Sequence, residues 1–143
     1  MKKITFFLVL IFVTQCGFEP IYSSKKFLFK IDNINYENNK LNNRIAGSLK
    51  TLSNENADNV LDLNLASNKE KRVVSKSKTG DPEIFELSIT ISIRILEEQK
   101  IFTNKQNYSN NDNKFELNEY EIEIEEQIIN KLINEMLIYL ASF

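Results

Sequence analysis

The chain has 143 residues, 42% of them hydrophobic and 27% charged, with 18 basic against 20 acidic side chains, the balance of one small globular domain. It carries no histidine, no tryptophan, one cysteine and three glycines. Histidine-dependent triads, Cys/His zinc sites and glycine-rich phosphate loops are therefore excluded, and a single cysteine makes no internal disulfide.

At the amino terminus, Lys2 and Lys3 precede an apolar run from Ile4 to Val13 that only Thr5 interrupts. This is the charged n-region and apolar h-region of an export signal. The run is too short for a bilayer, which takes about 20 apolar residues, and it ends at Thr14-Gln15, directly before Cys16. Val13-Thr14-Gln15-Cys16 resembles the lipobox of bacterial lipoprotein precursors, with Gln15 where a small residue is usual. The resemblance implies cleavage before Cys16 and lipid attachment to its thiol; a buried free cysteine or an ordinary secretory signal are the alternatives. Each buried CH₂ of an acyl chain adds about 0.8 kcal/mol, so three chains hold a protein on a membrane almost permanently. Gly17 after the cysteine, rather than aspartate, favours the outer membrane by analogy with enterobacterial sorting. The expected organisation is a signal peptide over 1–15, a lipidated tether over 16–25 and a single α+β domain over 26–143. Loss of the leader leaves 128 residues with 16 basic against 20 acidic groups. Such a chain is no general binder of nucleic acid or anionic lipid, because phosphate-driven affinity needs an excess of Lys and Arg, and any anion site must be a local patch.

Lys26 to Tyr36 alternates Phe27, Phe29 and Ile31 with Leu28, Lys30 and Asp32, which predicts a first strand. Asn38 and Asn39 are caps for a helix from Lys40 to Leu52, with Leu41, Ile45, Ser48, Leu49 and Leu52 on one face. A polar stretch, Ser53 to Asp58, returns the chain to a second strand at Asn59 to Ala66, whose Leu61, Leu63 and Leu65 face a core. Ser67 to Thr79 then holds Lys69, Lys71, Arg72, Lys76 and Lys78 against the single acid Glu70, and meets the turn signal Thr79-Gly80-Asp81-Pro82. Glu83 to Leu96 alternates most cleanly, with Phe85, Leu87, Ile89, Ile91, Ile93 and Ile95 on one side, and predicts a central strand. Glu97-Glu98-Gln99-Lys100 reads as a tight turn into a fourth strand, Ile101 to Ser109, with Phe102 and Tyr108 on one side. From Phe115 to Leu140, apolar residues recur at spacings of three and four, which predicts a long terminal helix; Tyr120 to Glu125 also alternates at period two, and length favours the helix. The order β-α-β-β-β-α predicts an α+β domain: a mostly antiparallel four-stranded sheet with two helices on one face and a polar opposite face.

Few residues offer chemistry. The six glutamates between Glu116 and Glu126 read as a solvated helix face rather than an acid/base pair, because no apolar pocket separates them. Asp81 and Glu83 flank a turn proline without the ligand spacing of a calcium or magnesium site. Ser88 and Ser92 have no histidine to activate them. The expectation is a protein without enzymatic activity, metal or cofactor. The cluster Lys69, Lys71, Arg72, Lys76 and Lys78 is the one dense positive patch, and it has two readings of similar weight. Lysines solubilise strand ends and discourage edge pairing; clustered Lys and Arg also grip phosphates or carboxylates of a glycolipid. Arg94, on the polar side of the central strand, fits either surface.

The segment Cys16-Gly17-Phe18-Glu19-Pro20-Ile21-Tyr22 resembles the start of the mature chain in the LptE family of lipopolysaccharide-assembly lipoproteins, whose alphaproteobacterial members often open with Cys-Gly-Phe-x-Pro-Leu-Tyr. Size, element order, the Asn43-Arg44-Ile45 helix start and the alternating strand around Ile89 extend the likeness. The resemblance implies an outer-membrane lipoprotein facing the periplasm, which plugs the lumen of an LptD β-barrel, helps to assemble it, and helps to deliver lipopolysaccharide to the outer leaflet. It implies no catalytic residue and does not place the lipopolysaccharide contacts; Lys69, Lys71, Arg72, Lys76 and Lys78 are the candidates. Two alternative classes stay open: a periplasmic lipoprotein that chaperones or pilots another outer-membrane complex, against which the Cys16–Tyr22 motif argues, and a lipid-anchored hydrolase, against which the absence of histidine argues.

Overall fold

The structure, a computed structural model, describes residues 27–143. The signal peptide, Cys16, the tether and the motif that carries the family resemblance lie outside the described residues. Within them the order is β1 (Phe29–Tyr36), α1 (Lys40–Leu52), β2 (Asn59–Lys76), β3 (Pro82–Ile95), β4 (Glu98–Ser109) and α2 (Lys114–Leu140). This is the expected β-α-β-β-β-α succession.

The strands lie in sequence order in one sheet. β1 and β2 are parallel neighbours joined by α1, as a parallel pair requires a crossover; β2, β3 and β4 form an antiparallel meander. The inner row of the central strand, Leu87 to Ile95, is at most 4% exposed at every second residue. Both helices pack on that side, α1 over β1 and β2 and α2 over β3 and β4, as fits an amphipathic helix that must bury its apolar stripe. The other side is a polar face of Asn64, Asn68, Ser88, Thr90, Thr103 and Asn107.

Local departures have local causes. β1 begins at Phe29 rather than Lys26, and a bulge between Ile31 and Ile34 sets two intervening residues against one, Asp62. The bulge exchanges the odd for the even face, so Ile34 and Tyr36 pack against the core behind Phe29 and Ile31. Asn33 N–H, released from the ladder, donates to Asp62 Oδ1 at 3.1 Å. α1 has the expected bounds, with Asn39 Oδ1 accepting from Asn42 N at 2.8 Å as its amino-terminal cap. Its buried face is Asn42, Ile45, Ala46 and Leu49, whereas Leu52 is 39% exposed. Asn42 is buried because its side chain is satisfied: it donates to Glu37 O and accepts from Ser67 Oγ, tying the helix start to β2.

The β3–β4 loop holds two residues, Leu96 and Glu97, with Ile95 paired to Glu98. The expected turn at Glu97–Lys100 is thus mostly strand. Leu96 takes a φ of 53° and is 88% exposed. The alternation at Tyr120–Glu125 is helical, within α2. Tyr120, three residues after the buried Leu117, is 45% exposed.

Candidate functional site: a divided basic hairpin

β1 pairs with β2 only as far as Leu65, so the rest of β2 is a sheet edge, paired on one side to β3. This projecting β2–β3 hairpin carries all five candidate cations. Its turn is built from hydrogen bonds of Ser77: Gly80 N donates to Ser77 O at 3.0 Å, and Ser77 N to Asp81 O at 2.8 Å. Gly80 supplies the positive φ, 91°, that the turn requires. Asp81 Oδ2 accepts from Thr79 Oγ1 at 2.8 Å, and Glu83 Oε2 from Ser75 Oγ at 3.4 Å.

The strand period divides the five cations among three places. Lys69 and Lys71 continue the inward row of Leu61, Leu63 and Leu65 and therefore point to the helix side. There Lys69 Nζ lies 2.8 Å from Glu125 Oε2, and Lys71 pairs with Glu121, both on α2. The expected solvated glutamate face is in part an ion-paired seam: Glu121 also accepts from Tyr108 Oη at 2.9 Å, and Glu126 pairs with Arg44 of α1 at 3.2 Å. Lys71 Nζ stands 4.3 Å above the ring of Phe85, within cation–π reach. Desolvation in this seam, reinforced by the Glu121 carboxylate, pushes the Tyr108 phenol far above its usual range.

Arg72 points to the opposite, polar face. Its Nε and Nη2 both meet Glu86 Oε1 at 2.8 Å, and Lys105 Nζ of β4 lies 3.3 Å from Glu86 Oε2. Glu86 is only 6% exposed. Hydrogen bonding to Arg72, opposed by desolvation and aided by Lys105, holds its carboxyl below the usual value of 4.5. With Glu70, Ser88 and Thr103 these three residues line a shallow depression of about 290 Å³. Lys76 and Lys78, at the hairpin end, are exposed and make no ion pair among the described residues. Val73, Val74 and Ile84 beside them are 40%, 49% and 37% exposed. Arg94 sits at the far end of the polar face, donating to Gln99 at 3.1 Å.

Glu86, Lys105, Glu121 and Glu125 were not candidates by sequence. A hairpin folded about Thr79 does pair Arg72 with Glu86, so that partner was within reach of the turn signal. The α2 partners, 50 residues or more away along the chain, were not.

Such a surface offers ammonium and guanidinium groups to anions, with apolar side chains close by; Ser88 and Ser92 lie on the polar face, where Ser92 Oγ accepts from Gln99 Nε2 at 2.8 Å. No helix among the described residues is long and apolar enough to cross a membrane.

Comparison with known proteins agrees with this fold. No curated protein matches the sequence. Among solved structures, the chain is similar to lipoprotein B from Nitrosomonas europaea, with a TM-score of 0.60 at 14% identity over 82% of this chain and 88% of that one. It is similar to the rare lipoprotein B from Shewanella oneidensis, with a TM-score of 0.56 at 17% identity over 78% and 95%. A minor lipoprotein from Acinetobacter baumannii gives 0.56 at 14% identity over 77% and 92%. The family model described as LptE, lipopolysaccharide-assembly, matches residues 33–140, from within β1 to the end of α2. The chain therefore belongs to the LptE family and has a role in lipopolysaccharide assembly.

Proposed function

We propose that the chain is a lipid-anchored component of the outer membrane that occupies the lumen of an LptD-like β-barrel as a plug, assists that barrel's assembly, and presents its basic hairpin to lipopolysaccharide. The family match across residues 33–140 carries this reading. The polar sheet face supports it, because the interior of a transmembrane barrel is polar and a plug must offer it hydrogen-bonding groups rather than apolar surface. A lipid on Cys16 would hold the plug at the periplasmic rim. Its role is binding and placement, without a catalytic step. Lys69, Lys71, Arg72, Lys76 and Lys78 are the proposed lipopolysaccharide contacts, with Lys76 and Lys78 the first to meet a phosphate, since the other three hold carboxylates already.

The test is capture of the full-length chain, tagged at its carboxyl end, from gently solubilised outer membranes, comparing wild type with Cys16→Ala. A large barrel protein should co-purify with the wild type and be depleted with the variant. Recovery of a different complex would make the chain a pilot of that complex. Replacing the five cations by serine should weaken binding to purified lipopolysaccharide while the circular dichroism spectrum is unchanged; equal affinity would remove them as contacts.

A further inference from the structure

β2 changes character along its length. Its inward row is buried leucine at 61, 63 and 65, then Ser67, and then the charged pair Lys69 and Lys71. α2 is divided in the same way. From Ile124 onward it buries Ile128, Ile129, Leu132, Ile133 and the residues that follow, whereas before Ile124 it buries only Leu117. Tyr120 and Ile122 are 45% and 50% exposed. The first turns are tied to the sheet by Glu121 with Lys71 and Tyr108 and by an edge-on contact between Tyr120 and Tyr108 at 6.2 Å, while Glu125, just past Ile124 where the packed part begins, pairs with Lys69 at the hinge. A cleft of about 560 Å³ opens beside these turns, lined by Asn110, Asn111, Leu117 and Tyr120 among others.

We propose that Lys69 and Lys71 form an anion site closed in this structure by Glu121 and Glu125, the first turns of α2 being a lid that a phosphorylated glycolipid displaces by competing for the two lysines. The inference rests on the glycolipid reading above. The ion pairs that close the lid are weak: their side chains are 22–49% exposed, and ion pairs of such exposure contribute little to stability, which leaves Leu117 and the contacts of Tyr108 as the lid's other holds. A phosphate monoester carries more charge than a carboxylate and three acceptor oxygens, so it accepts charge-assisted hydrogen bonds from both ammonium groups. Lysine suits an exchange of partners, because it is a point charge on a flexible stem. Under the lid lie the rings of Phe85 and Tyr108, stacked at 5.6 Å, an apolar bed for the first methylenes of an acyl chain. The deeply packed remainder of α2 stays in place and acts as the hinge.

Hydrogen exchange of the purified full chain tests the lid, with bis-phosphorylated lipid A in non-ionic micelles as the probe and empty micelles as the control. Amides of residues 118–123 report on the lid, because the first four N–H groups of a helix lack intrahelical partners in any case. Lipid A should accelerate exchange at 118–123 and leave 128–140 unchanged. The double variant Glu121→Gln/Glu125→Gln should exchange fast at 118–123 without lipid and bind lipid A about tenfold more tightly than wild type, the worth of two exposed ion pairs. Lys69→Gln/Lys71→Gln should exchange equally fast yet bind more weakly than wild type. Lipid A that binds the wild type while 118–123 is unchanged or slowed overturns the lid and leaves the glycolipid reading standing. A glutamine double variant that binds no more tightly also overturns the lid. Absence of binding by both wild type and that variant overturns both readings.

Discussion

Glu86 shows how a strongly charged residue comes to lie at 6% exposure on a face that is otherwise open. Arg72 stands directly across the β2–β3 pair, and Lys105 reaches in from β4, so two cations converge on one carboxylate. Buried charges persist where they are paired and hydrogen-bonded. Because its folded-state pKa lies below the usual 4.5, Glu86 contributes stability that is present above the unfolded value and lost as pH falls through the folded one. Thermal melts should therefore show the wild type losing stability faster than Glu86→Gln as pH falls below about 4.5. Parallel pH profiles would show that the pairing contributes nothing. Arg72 and its position were legible in the sequence as a cation near a turn; the partner that neutralises it depends on strand register.

At the scale of elements, α1 was legible nearly to the residue, because an asparagine cap, a 3.6-residue apolar period and a polar exit agree. The same agreement fails at the β3–β4 loop. Two-residue hairpin loops demand a positive φ, which glycine or asparagine normally supplies, and here leucine does so at 53°. A turn made by the wrong residue type leaves no signal, whereas the charged run Glu97–Lys100 imitates a turn two residues beyond the real one. Leu96 packs against little, at 88% exposure, so Leu96→Asn relieves the left-handed strain without opening a cavity. The expected gain is about 1 kcal/mol, visible in calorimetry as a rise in Tm of roughly 3–5 °C. An unchanged or lowered Tm would mean that the leucine side chain holds the turn. The β1 bulge was hidden for a related reason: period two carries through Phe29 and Ile31 and resumes out of phase at Ile34.

For the whole molecule, the two faces of the sheet have separate tasks: one is sealed by α1 and α2, while the other presents mostly polar and charged side chains, with Val60 and Ile101 among them, to whatever surrounds the protein. Thr90, in the middle of that face, shares a hydrogen bond of 3.1 Å with Thr103 across the β3–β4 pair. Under the plug reading, Thr90→Trp should leave the Tm within a few degrees, since surface changes usually stay within about 0.5 kcal/mol, and should abolish recovery of the barrel partner from solubilised membranes. Full recovery would place the barrel contact on another surface. The sequence by itself determined the element order, the burial of the central strand and the one dense run of cations, because periodicity and turn chemistry are local and each is written in neighbouring residues. Only the tertiary structure decided what those cations do. Alternation along β2 sends Lys69 and Lys71 to one face and Arg72 to the other; the turn at Thr79 already sets Glu86 opposite Arg72, but Glu121 and Glu125 come from the far end of the chain and only packing brings them to Lys71 and Lys69. Charge density is a property of sequence; charge neutralisation is a property of packing.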